Sequence, residues 1–110
     1  MATNQTERLS MSYEMTELEI IRWAEARRII PNSTPETQLL KAMSELGELA
    51  DATIKQDKPG IIDGVGDVMV CLVNYCALQD INLVSCMEAA YEEIKHRKGN
   101  LLPNGVFVKE

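Results

Sequence analysis

Between Ile61 and Leu78 almost every residue is apolar or glycine, and the polar exceptions line up. They are Asp63, Asp67 and Asn74. At about 100° per residue, Asp63 and Asn74 fall within roughly 40° of Asp67 around a helix axis. A helix that is apolar all round is a buried helix, and burying an unpaired carboxylate costs on the order of several kcal/mol. Two carboxylates and an amide on one stripe of such a helix need a partner, either a cation or basic groups with a bound anion.

A second stripe supplies the complement. Gln38, Lys41, Glu45 and Glu48 recur at spacings of three, four and three within 35–56, so they share one face of a helix. Leu39, Ala42, Met43, Leu46, Leu49, Ala50 and Ile54 form a broad apolar arc beside it, and Ser44, Asp51 and Lys55 point away to water. Glu45 and Glu48 sit at the border of the packing face, where they could meet Asp63 and Asp67 across a helix pair. Four carboxylates converging in this way make a hard-oxygen site for Mg²⁺ or Mn²⁺.

The elements that must position these groups are helices. Residues 1–15 read as a mobile N-terminal segment, and 16–110 as one domain. Thr16 with Glu19 makes a capping box for a first helix ending near Ile29. Pro31–Thr34 is a turn, Thr34 caps the second helix, and Pro35 fits its first position. A break at Asp57–Gly60 precedes the third, apolar helix. Asn82 caps a fourth, which carries Leu83, Met87, Ala90, Tyr91 and Ile94 on one side, ends at Gly99 and is basic in its last turn through Lys95, His96, Arg97 and Lys98. Asn104–Gly105 is a turn, and Val106–Val108 an apolar stretch against the body. The fold class is all-α. Three other helices hardly cover an all-round apolar cylinder in 110 residues, so a second copy of the chain is expected to complete the core.

Composition narrows the function. The net charge of −6 and the pI near 4.8 argue against general nucleic-acid binding. Three cysteines, Cys71, Cys76 and Cys86, form no CxxC pair and read as reduced, small core residues of a cytoplasmic protein. Met1–Met15 is too polar for a signal peptide, and Ile61–Leu78 is too interrupted by Asp63, Asp67 and Asn74 to span a bilayer. No membrane partner is expected.

The segments KAMSELGELADATIKQD, IIDGVGDVMVCLVNY and AAYEEIKHRKG resemble the MazG-like branch of the all-α NTP pyrophosphohydrolases. That family is marked by E-x-x-E, a spacer, and E-x-x-D on the next helix. Glu45 and Glu48 match the first half, and Asp67 the final acid. The resemblance spans about residues 16–99, and the tail NGVFVKE is similar to that of small single-domain phage and bacterial versions. It implies a four-helix fold completed by homo-oligomerisation as a homodimer or homotetramer. It also implies Mg²⁺-dependent cleavage of the α–β phosphoanhydride of a nucleoside triphosphate, with Mn²⁺ as a possible substitute. Phosphoribosyl-ATP pyrophosphohydrolase shares the architecture, and a non-catalytic helical oligomer whose acids merely hold an ion is the reading from another class.

The chain departs from the family at three places. Gly64 stands where the third acid belongs, with Asp63 one residue earlier; Ser44 stands where many relatives carry Glu; His96 replaces a frequent Asn. Asp63 is either a fourth ligand or a helix-start residue, and Gly64→Glu is expected to restore an acid and gain helix propensity. Glu45, Glu48, Asp67 and Asp63 are the expected metal ligands, and Glu45 or Glu48 also the group that orients or deprotonates the attacking water. Lys41, Lys95, Arg97 and Lys98 are the cations for the phosphates, unless Lys41 merely pairs with Glu45 and the others complement a helix dipole. Asn74 either hydrogen-bonds sugar or base, or is a satisfied core amide.

Overall fold

The computed structural model describes the backbone of residues 5–110 and the side chains of residues 13–110. Its elements run α1 (Gln5–Ala26), α2 (Ile29–Asn32), α3 (Pro35–Ile54), α4 (Lys58–Ala77), α5 (Leu83–Ile94), β1 (Gly99–Leu101) and β2 (Phe107–Lys109). The fold is all-α, with one small antiparallel hairpin appended. Residues 1–4 of the segment expected to be mobile lie outside the described residues. The remainder of that segment is helical, and α1 runs through Thr16 and Glu19 without a break. No Gly or Pro precedes Pro31, so nothing in the backbone chemistry stops the helix from extending.

The caps explain the other boundaries. Thr34 Oγ1 accepts from the Thr37 N–H at 3.1 Å and Asn82 Oδ1 from the Ser85 N–H at 2.8 Å, both as expected. The cap of α4 is Asp57, whose Oδ1 accepts from the Gly60 N–H at 3.2 Å. Asp63 therefore lies inside α4 and is not a helix-start residue. The last helix ends at Ile94, earlier than Gly99, because the chain then turns into β1. Gly99 pairs with Lys109 there, and a Cβ on Gly99 would meet the Val108 carbonyl and the Phe107 ring. Among the described residues the hairpin makes no close approach to any helix, and Val106, Phe107 and Val108 are exposed rather than packed against the body. Gly105 takes the positive φ of 88° that the turn after Asn104 requires.

α3 and α4 form the dominant antiparallel pair, with α1 crossing α4 and touching the start of α5. That last contact depends on a buried acid. Glu17 is 8% exposed, and its carboxylate accepts from the Leu83 N–H at 2.5 Å and the Val84 N–H at 3.3 Å. It satisfies two orphan donors at the first turn of α5 and places negative charge at the positive end of the dipole.

The core is thin. Ala24, Ala42, Ala52, Cys71, Val73 and Cys76 are buried, but among the described residues no large side chain is fully so. Cys86 is exposed, against the expectation of a core thiol. The expected all-round burial of the apolar helix is not met within one chain. Ile62, Val65 and Asp67 of α4 are exposed, as are Leu39, Met43, Leu46 and Ile54 of the α3 arc. The radius of gyration is 16.6 Å, against about 13 Å for a compact chain of this length. The accessible surface is 8657 Å², where a folded monomer of this mass exposes about 6,100 Å². α4 alone among the described helices has the length and hydropathy of a membrane span.

Glu17→Ala is expected to lower stability by about 1–3 kcal/mol through the loss of two charge-assisted hydrogen bonds, with Glu17→Gln losing less. Chemical denaturation checks this, and an unchanged midpoint for Glu17→Ala would show the cap to be dispensable.

Candidate functional site

The site is built where α3 and α4 come closest. A Cβ on Gly64 would sit 3.0 Å from Leu49 Cβ and 3.1 Å from Leu49 Cα, and one on Gly60 would sit 3.2 Å from Ala52 Cβ. These contacts fix an antiparallel register in which residue 64 faces 49 and residue 60 faces 52. The pairing carries Asp63 and Asp67 alongside Glu48 and Glu45. Gly64 is buried against Leu49, so a Glu there cannot enter without displacing the α3 backbone or the Leu49 side chain. Close helix packing therefore works against helix propensity at this position, and the outcome of Gly64→Glu turns on how far Leu49 yields.

A surface cleft of about 580 Å³ opens along this pair, lined by Glu45, Glu48, Asp63 and Asp67 together with Ser44, Asp51, Lys55 and Asp57. The four acids singled out from spacing therefore share one space. Ser44, Asp51 and Lys55, expected to face water away from it, are also at its edge, and Lys55 Nζ pairs with Asp51 Oδ2 at 2.9 Å. Asp51 and Asp57 are the acids that the helical pattern missed. Asp51 follows Glu48 by three residues, so E-x-x-E-x-x-D was the available signal.

Mutual repulsion marks the cleft. The Glu45 carboxyl is held above its usual range first by a hydrogen bond shared with Glu48, then by partial burial and by the Glu48 charge; Lys41 pulls the other way. Lys41 Nζ lies 3.6 Å from Glu45 Oε1, so it is the i,i+4 partner of Glu45. The donor set suits a hard cation, being all oxygen and carrying more negative charge than its own lysine balances. Among the described residues, no three of these acids are drawn together as a ligating group. The cleft thus gathers the donors without closing them around a point.

The remaining candidates lie elsewhere. Asn74 is 3% exposed, two turns along α4 from Asp67, and its Oδ1 has no hydrogen-bond partner. It is buried as a core amide would be, yet unsatisfied. Lys95 pairs with Glu92 at 2.7 Å. Arg97 and Lys98 line a different cavity with Glu93, His96, Lys109 and Glu110, where α5 gives way to the hairpin. Within one chain the structure does not bring Lys95, Arg97 or Lys98 to the acidic cleft.

The MazG nucleotide pyrophosphohydrolase domain matches residues 33–102. An uncharacterised 18.2 kDa protein from the rep-hol intergenic region of Haemophilus phage HP1 is 44% identical over 55 residues, 49% of this chain and 33% of its own. The match thus spans about a third of the length of that curated relative. Among solved structures, a MazG-like pyrophosphohydrolase of cyanophage S-2L, bound to dGDP and three catalytic Mn²⁺ ions, superposes with a TM-score of 0.61. It is 21% identical and covers 86% of this chain and 92% of that one.

The Glu45–Glu48 contact has a measurable consequence for the metal-free protein. A carboxyl whose folded value is raised binds its proton more tightly in the native state, so stability is retained at low pH and lost as pH rises through the raised value. Glu48→Gln removes that repulsion. It is expected to unfold at a higher temperature than the parent at neutral pH, with the difference shrinking as pH falls toward 4.5. Thermal unfolding of both proteins in chelator across that range is the check, and a constant difference would refute the repulsion.

Proposed function

The chain belongs to the MazG nucleotide pyrophosphohydrolase family, and from this premise we propose that it hydrolyses a nucleoside triphosphate between the α and β phosphates, releasing a monophosphate and pyrophosphate with Mg²⁺ or Mn²⁺. The observation that carries this reading is the cleft between α3 and α4, where Glu45, Glu48, Asp63 and Asp67 face one space. The cyanophage neighbour, solved with dGDP and Mn²⁺, supports a nucleotide substrate and a divalent ion. Glu48, Asp67, Asp63 and Glu45 are the residues that would hold such an ion, which would supply neutralisation of charge on phosphate oxygens and a lowered pKa for water.

The chain's own residues supply the rest. Glu48 holds the Glu45 carboxyl above its usual range, and Glu45 or Glu48 is suited to orient a water and accept its proton as it attacks. Lys41 sits one turn from Glu45 and is 62% exposed at its side chain, free to swing toward a phosphate. Asn74 Oδ1 is an unsatisfied acceptor for a sugar hydroxyl or base amino group. Lys95, Arg97 and Lys98 reach the phosphates only if the basic end of α5 from a second copy meets the cleft.

That second copy belongs to the proposal. The accessible surface of 8657 Å² against about 6,100 Å² for a compact monomer leaves a surplus of roughly 2,500 Å² per chain, or about 5,000 Å² over two copies, which lies in the range of obligate interfaces, and the exposed apolar side chains of α3 and α4 are what it would cover. The assembly is a homodimer or homotetramer, working on nucleotides in the cytoplasm. Light scattering at micromolar concentration should give a multiple of 12.3 kDa; the mass of one chain would overturn the assembly.

Activity is tested with a panel of NTPs and dNTPs plus Mg²⁺, scored for monophosphate and pyrophosphate. Glu48→Gln and Asp67→Asn should each reduce turnover by at least about 100-fold with helicity intact, and Asp63→Asn should raise the Mg²⁺ needed for half-maximal rate. Parental turnover in Glu48→Gln or Asp67→Asn would remove them from the ligand set. Absence of pyrophosphate release from every nucleotide would leave a non-catalytic oligomer as the better reading.

A further inference from the structure

The chain ends in an element that is too small to stand alone. β1 and β2 are three residues each, with Gly99 opposite Lys109, Asn100 opposite Val108 and Leu101 opposite Phe107. Strand alternation puts Leu101, Phe107 and Lys109 on one face. A lone two-stranded hairpin is marginal in water and needs a third strand or a helix over one face. Among the described residues no helix covers either face, and Leu101 is 71% and Phe107 51% exposed. The surface that covers this face therefore lies outside the chain's own helices.

The same chain presents a surface of matching chemistry. α1 and α5 meet where Glu17 caps α5, and beside that contact they border an open space of about 690 Å³. Its apolar wall is Tyr13, Met87 and Tyr91, all exposed. Glu14, Glu88 and Glu92 line it as well, and among its described lining residues there is no cation. The segment 95–110 has the opposite balance: Lys95, Arg97, Lys98 and Lys109 against Glu110 alone, in a chain whose net charge is −6. Opposite charge steers such surfaces together and fixes their orientation.

We infer that the hairpin docks, by its Leu101–Phe107 face, into the α1–α5 space of a second copy of the chain, where Lys109 meets the acids of the rim. This rests on the assembly proposed above and adds a second interface to it. Among the described residues α1 and α5 make no contact with α3, so hairpin docking and an interface over the apolar side chains of α3 and α4 use separate parts of the surface. The hairpin and its receiving space are different surfaces of one chain. A two-fold axis lets each chain give a hairpin and receive one, which closes the contact instead of propagating it. Two such two-fold interfaces together make a homotetramer.

The test is photo-crosslinking of the full chain with p-benzoylphenylalanine in place of Phe107. Isotope-labelled and unlabelled chains are mixed at micromolar concentration, irradiated and mapped by mass spectrometry. The crosslink should join position 107 of one chain to residues 84–92 or to Tyr13 and Glu14 of a chain carrying the other label. Met87→Asp should lower its yield at least about 10-fold with helicity intact. Lys109→Glu should also lower it, Glu88→Lys in that background should raise it again, and both effects should shrink at about 1 M salt. These charge variants lie on the surface, so they test the docking even if Met87→Asp does not fold. A crosslink within one chain, a crosslink to α3, to α4 or to residues 1–12, or no crosslink at all would overturn the inference. Light scattering on the same samples separates the two readings: the mass of one chain removes the assembly as well, whereas an oligomer crosslinked elsewhere removes only the hairpin docking. None of these readouts depends on nucleotide hydrolysis.

Discussion

The close approach of α3 and α4 is the constraint on which the rest of the molecule depends. Gly64 rests against the backbone of Leu49 and Gly60 against Ala52, so the two 20-residue helices pack with almost no side chain between them at these points. Contact at that distance gains dispersion energy along both helices and sets one antiparallel register. The register decides which acids face one another across the cleft. It also crowds position 64, where a Cβ would stand 3.0 Å from Leu49 Cβ, so an acid there requires Leu49 to give way. Asp63, one residue earlier, points along the rim and keeps a carboxylate near Asp67 without entering the contact.

A tight pair of helices is a poor core by itself. Small residues that permit close approach (Ala42, Ala52, Gly60, Gly64) bury little apolar area each, and larger ones such as Leu39, Met43, Leu46 and Ile62 are left outside. α1 covers part of α4 and is pinned through the Glu17 cap on α5. Even so, the chain exposes far more surface than a compact monomer of its mass. Packing and assembly are therefore two sides of one choice. The geometry that opens an acidic cleft between α3 and α4 also displaces the bulky side chains that would have filled a single-chain core.

What the sequence displays follows the range of the interaction. Thr34 and Asn82 were legible as caps because a cap is decided within three residues. Glu45, Glu48 and Asp67 were legible because a helical stripe and a family motif coincide on them. Asp63 was legible as a candidate, but not its position relative to the helix start, since Asp57 competes for the cap. Asp51 and Lys55 were placed on the wet side by a helical wheel, which shows the direction of a side chain and not the width of the groove beside it. Glu17 was out of reach altogether: its partners lie 66 and 67 residues away, and nothing local marks an acid that will cap a distant helix.

Charge ties the cleft to the behaviour of the whole chain. Glu45, Glu48, Asp51, Asp57, Asp63 and Asp67 line it with Lys55 as the one cation among them, so most of the net charge of −6 is concentrated on a single face. The Lys41–Glu45 and Lys55–Asp51 pairs relieve part of the repulsion at either end. Exposed pairs of this kind are weak and screened by salt, so the centre of the cleft stays negative. On the proposed reading, a polyphosphate arriving alone meets a field of its own sign. Positive charge must reach the cleft before it or with it, and the basic end of α5, which one chain keeps apart from its own acids, is the part of the protein able to add to that charge from a second copy.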